Sequence, residues 1–369
     1  MTERIKQVVM PKWGLSMKEG KITNWLVSEG ATVNVGDELV EVETEKIASA
    51  VEATDAGVVR RILGEVDTIY PVKTLMAIIA DASVPESEID AFLSSYVPPA
   101  VDADEETAVD AYATVTVPAG EIRYAKYGSG DKTLIFIHGF GGDCDNWLFN
   151  TSALADQFTV YALDLPGHGR SIKAFRDASL SGLADVVLSF MDELHIDTAN
   201  LIGHSMGGAI AMKTAIAVPK RIKSVTAFGS AGLGAEINME YINGFISSDS
   251  RREVKPFLEE LFFDPGLVSR QMIDDILKYK RLDNVPDSLR QLADTIFKGG
   301  KQTENLVEAF KATGIPMTAI HGADDKIIPE RHTKALKSFA KIEIFANTGH
   351  MAQMEKSKEA NALIAAQAK

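Results

Sequence analysis

Asn200-Leu201-Ile202-Gly203-His204-Ser205-Met206-Gly207-Gly208 decides how the larger part of this chain is read. A short apolar run, as in a buried parallel strand, passes through Gly-x-Ser-x-Gly into a Gly/Ala-rich helical segment. The turn between them is tight, so neighbouring side chains must be absent for strand and helix to approach. It exposes the Ser205 hydroxyl at a helix N-terminus, where backbone N–H groups favour negative charge. Ser205 is the candidate nucleophile.

Outward from this turn the pattern alternates. Leu134-Ile135-Phe136-Ile137, Val160-Tyr161-Ala162-Leu163 and Val225-Thr226-Ala227-Phe228 read as buried strands, with helical segments at 180–194 and 206–218. Residues 233–300 lack strand runs and read as an inserted helical lid. Strand-like Met317-Thr318-Ala319-Ile320 and Ile342-Glu343-Ile344-Phe345 follow, then a helix from Ser357. This alternation predicts a doubly wound α/β domain over 114–369.

A serine hydroxyl is a weak nucleophile and needs a base. Of the seven histidines, His204 lies inside the elbow, and His138 and His168 sit in glycine loops. His195 ends a helix, His321 ends a strand and His332 starts a helix. His350, in Asn347-Thr348-Gly349-His350 just past a late strand, stands where open α/β sheets place functional groups. The base needs an acid to fix its tautomer. In His321-Gly322-Ala323-Asp324-Asp325-Lys326 either aspartate serves by position. The oxyanion donors are expected to be the N–H of Met206 and that of Phe140 in His138-Gly139-Phe140-Gly141-Gly142. No metal is assigned.

These segments together resemble the α/β-hydrolase superfamily over about 115–369. The resemblance implies that the second aspartate, Asp325, is the acid, and the order Ser205, Asp325, His350 is that family's.

The front of the chain differs. Short strand-like runs, broken by Gly14, Gly20, Gly30 and Gly36, fill residues 4–80. Gly20, Ile22, Trp25 and Leu26 recur as Gly57, Val59, Ile62 and Leu63; Glu29, Val33, Leu39 and Val42 recur as Glu65, Ile69, Leu75 and Ile78. Two similar halves predict a pseudo-symmetric β-sandwich over 1–82. Met10-Pro11-Lys12-Trp13-Gly14, Val35-Gly36-Asp37 and Glu43-Thr44-Glu45-Lys46-Ile47 resemble lipoyl and biotinyl carrier domains. That resemblance implies a hairpin-tip lysine, Lys46, carrying lipoic acid covalently. A biotin carrier would have Met on both sides of the lysine.

Between the domains, residues 74–122 hold no Lys or Arg, and Pro85, Pro98 and Pro99 punctuate them. Residues 83–113 read as an acidic linker. Ile89, Phe92, Leu93 and Tyr96 stand at helical spacing within it, so a short helix is expected over 86–97. It either folds back on a neighbouring domain or docks a partner.

The formal charge of −14 argues against nucleic-acid binding and against anionic lipid. Cys144 is the single cysteine, which fits a reducing cytoplasm. No run approaches the roughly 20 apolar residues of a membrane span.

A lipoyl-type domain joined to a hydrolase-type domain resembles the acetyltransferase components of bacterial acetoin-cleaving systems. That resemblance implies acetyl transfer from lipoyl-lysine to coenzyme A in acetoin catabolism. It also implies two partners, a thiamine-diphosphate-dependent acetoin dehydrogenase component and a flavin dihydrolipoamide dehydrogenase. A thioesterase or carboxylesterase with a carrier domain is the alternative. The His-x-x-x-Asp-Gly segment of ordinary acyltransferase cores is absent from the sequence.

Overall fold

The computed structural model describes residues 4–11, 17, 19–44, 48–96 and 111–368. The chain forms two compact units, with the main division near residue 110.

In the first unit, β1 (Ile5–Val9), β2 (Glu19–Trp25), β3 (Thr32–Val33), β4 (Glu38–Glu43), β5 (Ala48–Glu52), β6 (Gly57–Ile62), β7 (Ile69–Pro71) and β8 (Leu75–Ala80) form two four-stranded sheets. Their orders are β1-β8-β6-β3 and β5-β4-β2-β7. The sequence repeat explains the arrangement. β2 and β4 pair in one sheet, their repeat counterparts β6 and β8 in the other. Each half lends its short strand, β3 or β7, to the opposite sheet. Ile22, Leu39 and Val42 and their counterparts Val59, Leu75 and Ile78 are all buried. Ile69, the counterpart of buried Val33, is exposed, so the symmetry is imperfect.

Helix α1 (Glu86–Ser95) starts after Pro85, with Glu86 and Glu88 in its first turn, where carboxylates suit the helix dipole. Ile89 is fully buried against Ile5, Leu75, Ile78, Ala80 and Val84, with Phe92, Leu93 and Tyr96 beside it. Arg61 pairs with Glu86 at 2.7 Å and Asp90 at 3.2 Å. Residues 84–96 therefore pack on the sandwich, and the first unit does not end at residue 82. The apolar stripe of α1 is consumed by this packing. Ile89→Ala should destabilise the first unit by about 2–4 kcal/mol through lost burial and a cavity. Denaturant unfolding of the full chain, followed at Trp25, measures this; an unchanged midpoint would show that the helix is only loosely held.

In the second unit, β9 (Tyr112–Val117), β10 (Gly120–Tyr127), β11 (Thr133–Ile137), β12 (Thr159–Leu163), β13 (Ala199–His204), β14 (Ile222–Phe228), β15 (Met317–Gly322) and β16 (Lys341–Phe345) make one sheet. Its order is β16-β15-β14-β13-β11-β12-β10-β9. From β11 to β16 the pairings are parallel, while β9 and β10 are antiparallel at one edge. Parallel strands buried on both faces require apolar runs, and Leu134–Ile137 are wholly buried. Helices α2 (Leu148–Leu154), α3 (Leu180–Glu193) and α4 (Met206–Ala217) follow β11, β12 and β13. Between β14 and β15 come α5 (Met239–Ser247), α6 (Arg251–Glu259), α7 (Arg270–Lys280), α8 (Val285–Ile296) and α9 (Val307–Lys311). The chain closes with α10 (Ala352–Glu355) and α11 (Ser357–Ala368). Among the described residues no helix is long and apolar enough to cross a membrane.

Candidate active site

Ser205 lies between β13 and α4 with φ 54° and ψ −117°. A non-glycine residue in such a conformation costs on the order of 1–3 kcal/mol, and the surroundings must enforce it. Here they do. The Ser205 N–H donates to the Phe228 carbonyl at 2.8 Å, and its own carbonyl accepts from Ala231 N–H at 3.0 Å. A Cβ on Gly207 would stand 2.1 Å from the Ile137 carbonyl oxygen, so the elbow presses directly on the end of β11. A Cβ on Gly139 would stand 3.1 Å from the Ser205 Cβ, which brings the glycine loop against the serine.

The loop after β15 carries the candidate acid, and the loop after β16 carries the candidate base. Backbone bonds join them: Ala323 N–H to the Phe345 carbonyl (2.8 Å) and Asp324 N–H to the Thr348 carbonyl (3.0 Å). Asp324 itself is exposed. Asp325 turns inward, and its Oδ2 accepts from His350 Nδ1 at 2.7 Å. The Oδ1 atom accepts from Ile327 and Ile328 N–H at 2.8 and 2.9 Å. The two aspartates that the sequence leaves equivalent are thus separated by which one is desolvated. Burial opposes ionisation of Asp325, but His350 and the donors around it prevail and hold the carboxyl well below the usual carboxylate range.

In the sequence His321 reads only as a strand-end residue. Its Nε2 lies 3.0 Å from Asp325 Oδ2 and 2.9 Å from the Ile328 carbonyl. Burial pulls its pKa down, yet the bond to Asp325 raises it overall. His321 is a second donor on the acid. Its place four residues before Asp325, at the end of a buried strand, is the one signal the sequence offered.

With Nδ1 bound to Asp325, His350 keeps Nε2 as the ring nitrogen for the serine. His204, the x residue of the elbow, faces the base: the rings are 4.6 Å apart and His204 Nε2 donates to the His350 carbonyl at 3.0 Å. Burial, with His350 beside it, pushes His204 well below its usual pKa, so it is neutral. The Ser205 hydroxyl has no hydrogen bond among the described residues. The acid–base half of the constellation is closed, whereas among the described residues the Ser205 hydroxyl makes no hydrogen bond to His350.

The glycine loop is braced by two buried histidines. His138 Nδ1 donates to the Gly139 carbonyl at 2.7 Å, and its Nε2 accepts from Leu165 N–H at 3.0 Å. His168 Nε2 accepts from Gly141 N–H at 3.1 Å, and its Nδ1 donates to the Pro166 carbonyl at 2.9 Å. Each ring accepts an amide from the other's loop, which requires both to be neutral. Burial lowers the His138 pKa and pushes His168 down to about 3. The Gly139 carbonyl belongs to the same peptide plane as the Phe140 N–H. His138 therefore fixes the direction of that amide. Neither the Phe140 nor the Met206 amide meets an acceptor among the described residues. The Phe140 ring packs on Phe245 and Phe297, at centroid distances of 6.4 and 6.2 Å, so the helical insertion covers this side. Ser205 is 7% exposed and His350 3%.

Lys46 lies outside the described residues. The strands on either side of it, β4 and β5, pair antiparallel, with Glu43 opposite Ala48 as the last register pair.

Residues 132–357 match the model of the alpha/beta hydrolase fold family, and residues 6–79 match the biotin-requiring enzyme family, which includes lipoyl carriers. A "dihydrolipoyllysine-residue acetyltransferase component of acetoin cleaving system" from Cupriavidus necator is 48% identical over 357 residues, covering 97% of this chain and 96% of the relative. A protein of the same description from Pseudomonas putida is 42% identical over 363 residues, covering 97% of each. The chain belongs to this acetyltransferase family. A domain of the family that carries lipoic acid covalently thus stands before a hydrolase-type domain. A meta-cleavage product hydrolase from Pseudomonas fluorescens superposes with a TM-score of 0.63 at 23% identity, over 69% of this chain and 96% of the other. Carboxylesterase CesB from Bacillus subtilis gives 0.61 at 19%, over 69% of this chain and 89% of the other. These two show the fold alone.

Proposed function

We propose that the second domain transfers an acetyl group to coenzyme A through Ser205, with His350 as base and Asp325 as the acid that orients it. The observation that carries the reading is the nearly covered Ser205 beside a closed His350–Asp325 pair, in a chain that also bears a lipoyl domain. When attached to Lys46, the lipoyl group supplies a thiol that carries acetyl as a thioester. Ser205 Oγ attacks the thioester carbonyl while His350 Nε2 takes its proton. The Phe140 and Met206 N–H groups receive the negative charge that develops on the carbonyl oxygen, each donor being worth about 3 kcal/mol. The C–S bond breaks, and His350 returns the proton to the departing thiol. The coenzyme A thiol then gives its proton to His350 and attacks the acetyl-serine, and the proton passes back to Ser205 Oγ. Covering by the insertion favours transfer over hydrolysis, because water competes for the same acetyl-serine.

We also infer that the partners are a thiamine-diphosphate-dependent component that supplies the acetyl group and a flavin dihydrolipoamide dehydrogenase that reoxidises the dithiol. The setting is the cytoplasm, in keeping with a single, buried, free cysteine. The test charges the lipoylated full chain with acetyl and follows both products with and without coenzyme A. Acetyl-CoA should form promptly and acetate slowly. Acetate release at the same rate in both arms would make the domain a thioesterase.

A further inference from the structure

The backbone that carries His350 is held from two sides. Its carbonyl accepts from His204 on the elbow. Its N–H, and that of Met351, donate to the Leu261 carbonyl, at 2.8 and 3.1 Å, just beyond α6 of the helical insertion. Glu355, on α10, spans the same junction: Oε1 accepts from Gly349 N–H at 2.8 Å and Oε2 from Phe263 N–H at 2.9 Å. A Cβ on Gly349 would stand 2.7 Å from the Phe262 carbonyl carbon, so the two segments are in backbone contact. The base loop is thus fastened to the insertion through four N–H donors, one carbonyl and one carboxylate.

We propose that Glu355 is a positioning residue that couples His350 to the helical insertion, so that seating of the substrate under the insertion closes the open Ser205–His350 contact. The inference rests on Ser205 and His350 acting as proposed above. Its physical basis is that Asp325–His350 is already bonded while Ser205–His350 is not. Any movement of the His350 ring towards Ser205 carries the loop that holds it, and that loop is tied to the insertion through Leu261 and Glu355. A base aligned only when substrate is seated under the insertion suits a transferase, because water that enters alone then meets an unarmed serine. The Glu355 carboxyl is partly buried, which raises its pKa, while the two amides it accepts oppose the rise.

The test uses the lipoylated full chain with Glu355→Ala and Glu355→Gln. Three quantities are read: fluorophosphonate labelling of Ser205, kcat and KM for acetyl transfer, and the downfield NMR proton of His350 Nδ1. Glu355→Ala should slow labelling and kcat by on the order of tenfold to a hundredfold, the scale of a loss of alignment. KM for coenzyme A should stay within about twofold, and the Nδ1 proton should persist, since Asp325 still holds the ring. Glu355→Gln, whose side-chain oxygen can still serve one amide, should fall between. Labelling at the wild-type rate in either variant overturns the proposal and leaves Glu355 a structural staple; the Gln variant decides if the Ala variant does not fold. Loss of the Nδ1 proton overturns it as well, since the pair itself would then be broken. Ser205→Ala, run alongside, separates the two readings. Transfer that survives it defeats the proposed function, whereas its abolition with unaffected Glu355 variants defeats the coupling alone.

Discussion

Ser205→Ala lowers acetyl-CoA formation by about a thousandfold or more while leaving the fold intact. The fold survives because what the elbow asks of residue 205 is made by its backbone: the N–H to Phe228, the carbonyl to Ala231, and the unusual φ, which alanine tolerates as well as serine does. The hydroxyl contributes no hydrogen bond among the described residues, so its removal leaves no buried group unpaired. Chemistry fails because the acetyl group has nowhere to rest. Any residual rate reports direct attack by the coenzyme A thiol on a carbonyl polarised by the Phe140 and Met206 amides. Acetyl-CoA formation from acetyl-charged chain, with the melting temperature as control, measures the effect. Wild-type transfer by a folded Ser205→Ala protein would remove the serine from the mechanism.

Ser205 and His350 were legible in the sequence because their signals are local: a glycine-bounded turn between strand and helix, and a histidine just past a late strand. The acid was less so, since Asp324 and Asp325 differ only in which way the loop after β15 turns, and the bond of Asp324 N–H to Thr348 sets that. A histidine that ends a buried strand, as His321 does, reads as core; only the fold sets its Nε2 against Asp325. The ties to the insertion were illegible. Leu261 acts through its carbonyl, which any residue offers, and Glu355 reaches Phe263 across 92 residues of sequence. In the first unit the repeat showed two like halves, but the exchange of β3 and β7 between sheets depends on a two-residue strand, too short to carry a period. Helix α1 was visible by its spacing, whereas the surface it covers lies on β1 and β8 and had to be seen folded.

Asp325→Asn should cost about as much activity as removing the nucleophile, and for a geometric reason. Four donors converge on this carboxylate: His350 Nδ1 and His321 Nε2 on Oδ2, and the Ile327 and Ile328 amides on Oδ1. An asparagine offers one oxygen and one NH2 group, so one pair of donors must face another donor. If the NH2 turns to the backbone amides, the loop after β15 opens and His350 loses its support. If it turns to the histidines, His350 must take the opposite tautomer, with its hydrogen on Nε2, where it cannot accept a proton from Ser205. Either way kcat falls by on the order of 10⁴, with about 1–3 kcal/mol of stability lost to unpaired buried donors. Asp324 does not compensate, because it is exposed. The same carboxylate gives a pH signature. Its folded pKa lies below the unfolded value of about 4, so the unfolded chain binds more protons as acid is added. The stability from Asp325 is fully present above about pH 4 and is lost as pH falls towards the folded pKa. Chemical denaturation from near-neutral pH down to about pH 3 should therefore show a steeper acid loss in the wild-type protein than in Asp325→Asn. Parallel acid profiles for the two proteins would mean that residue 325 is not the ionised partner of His350.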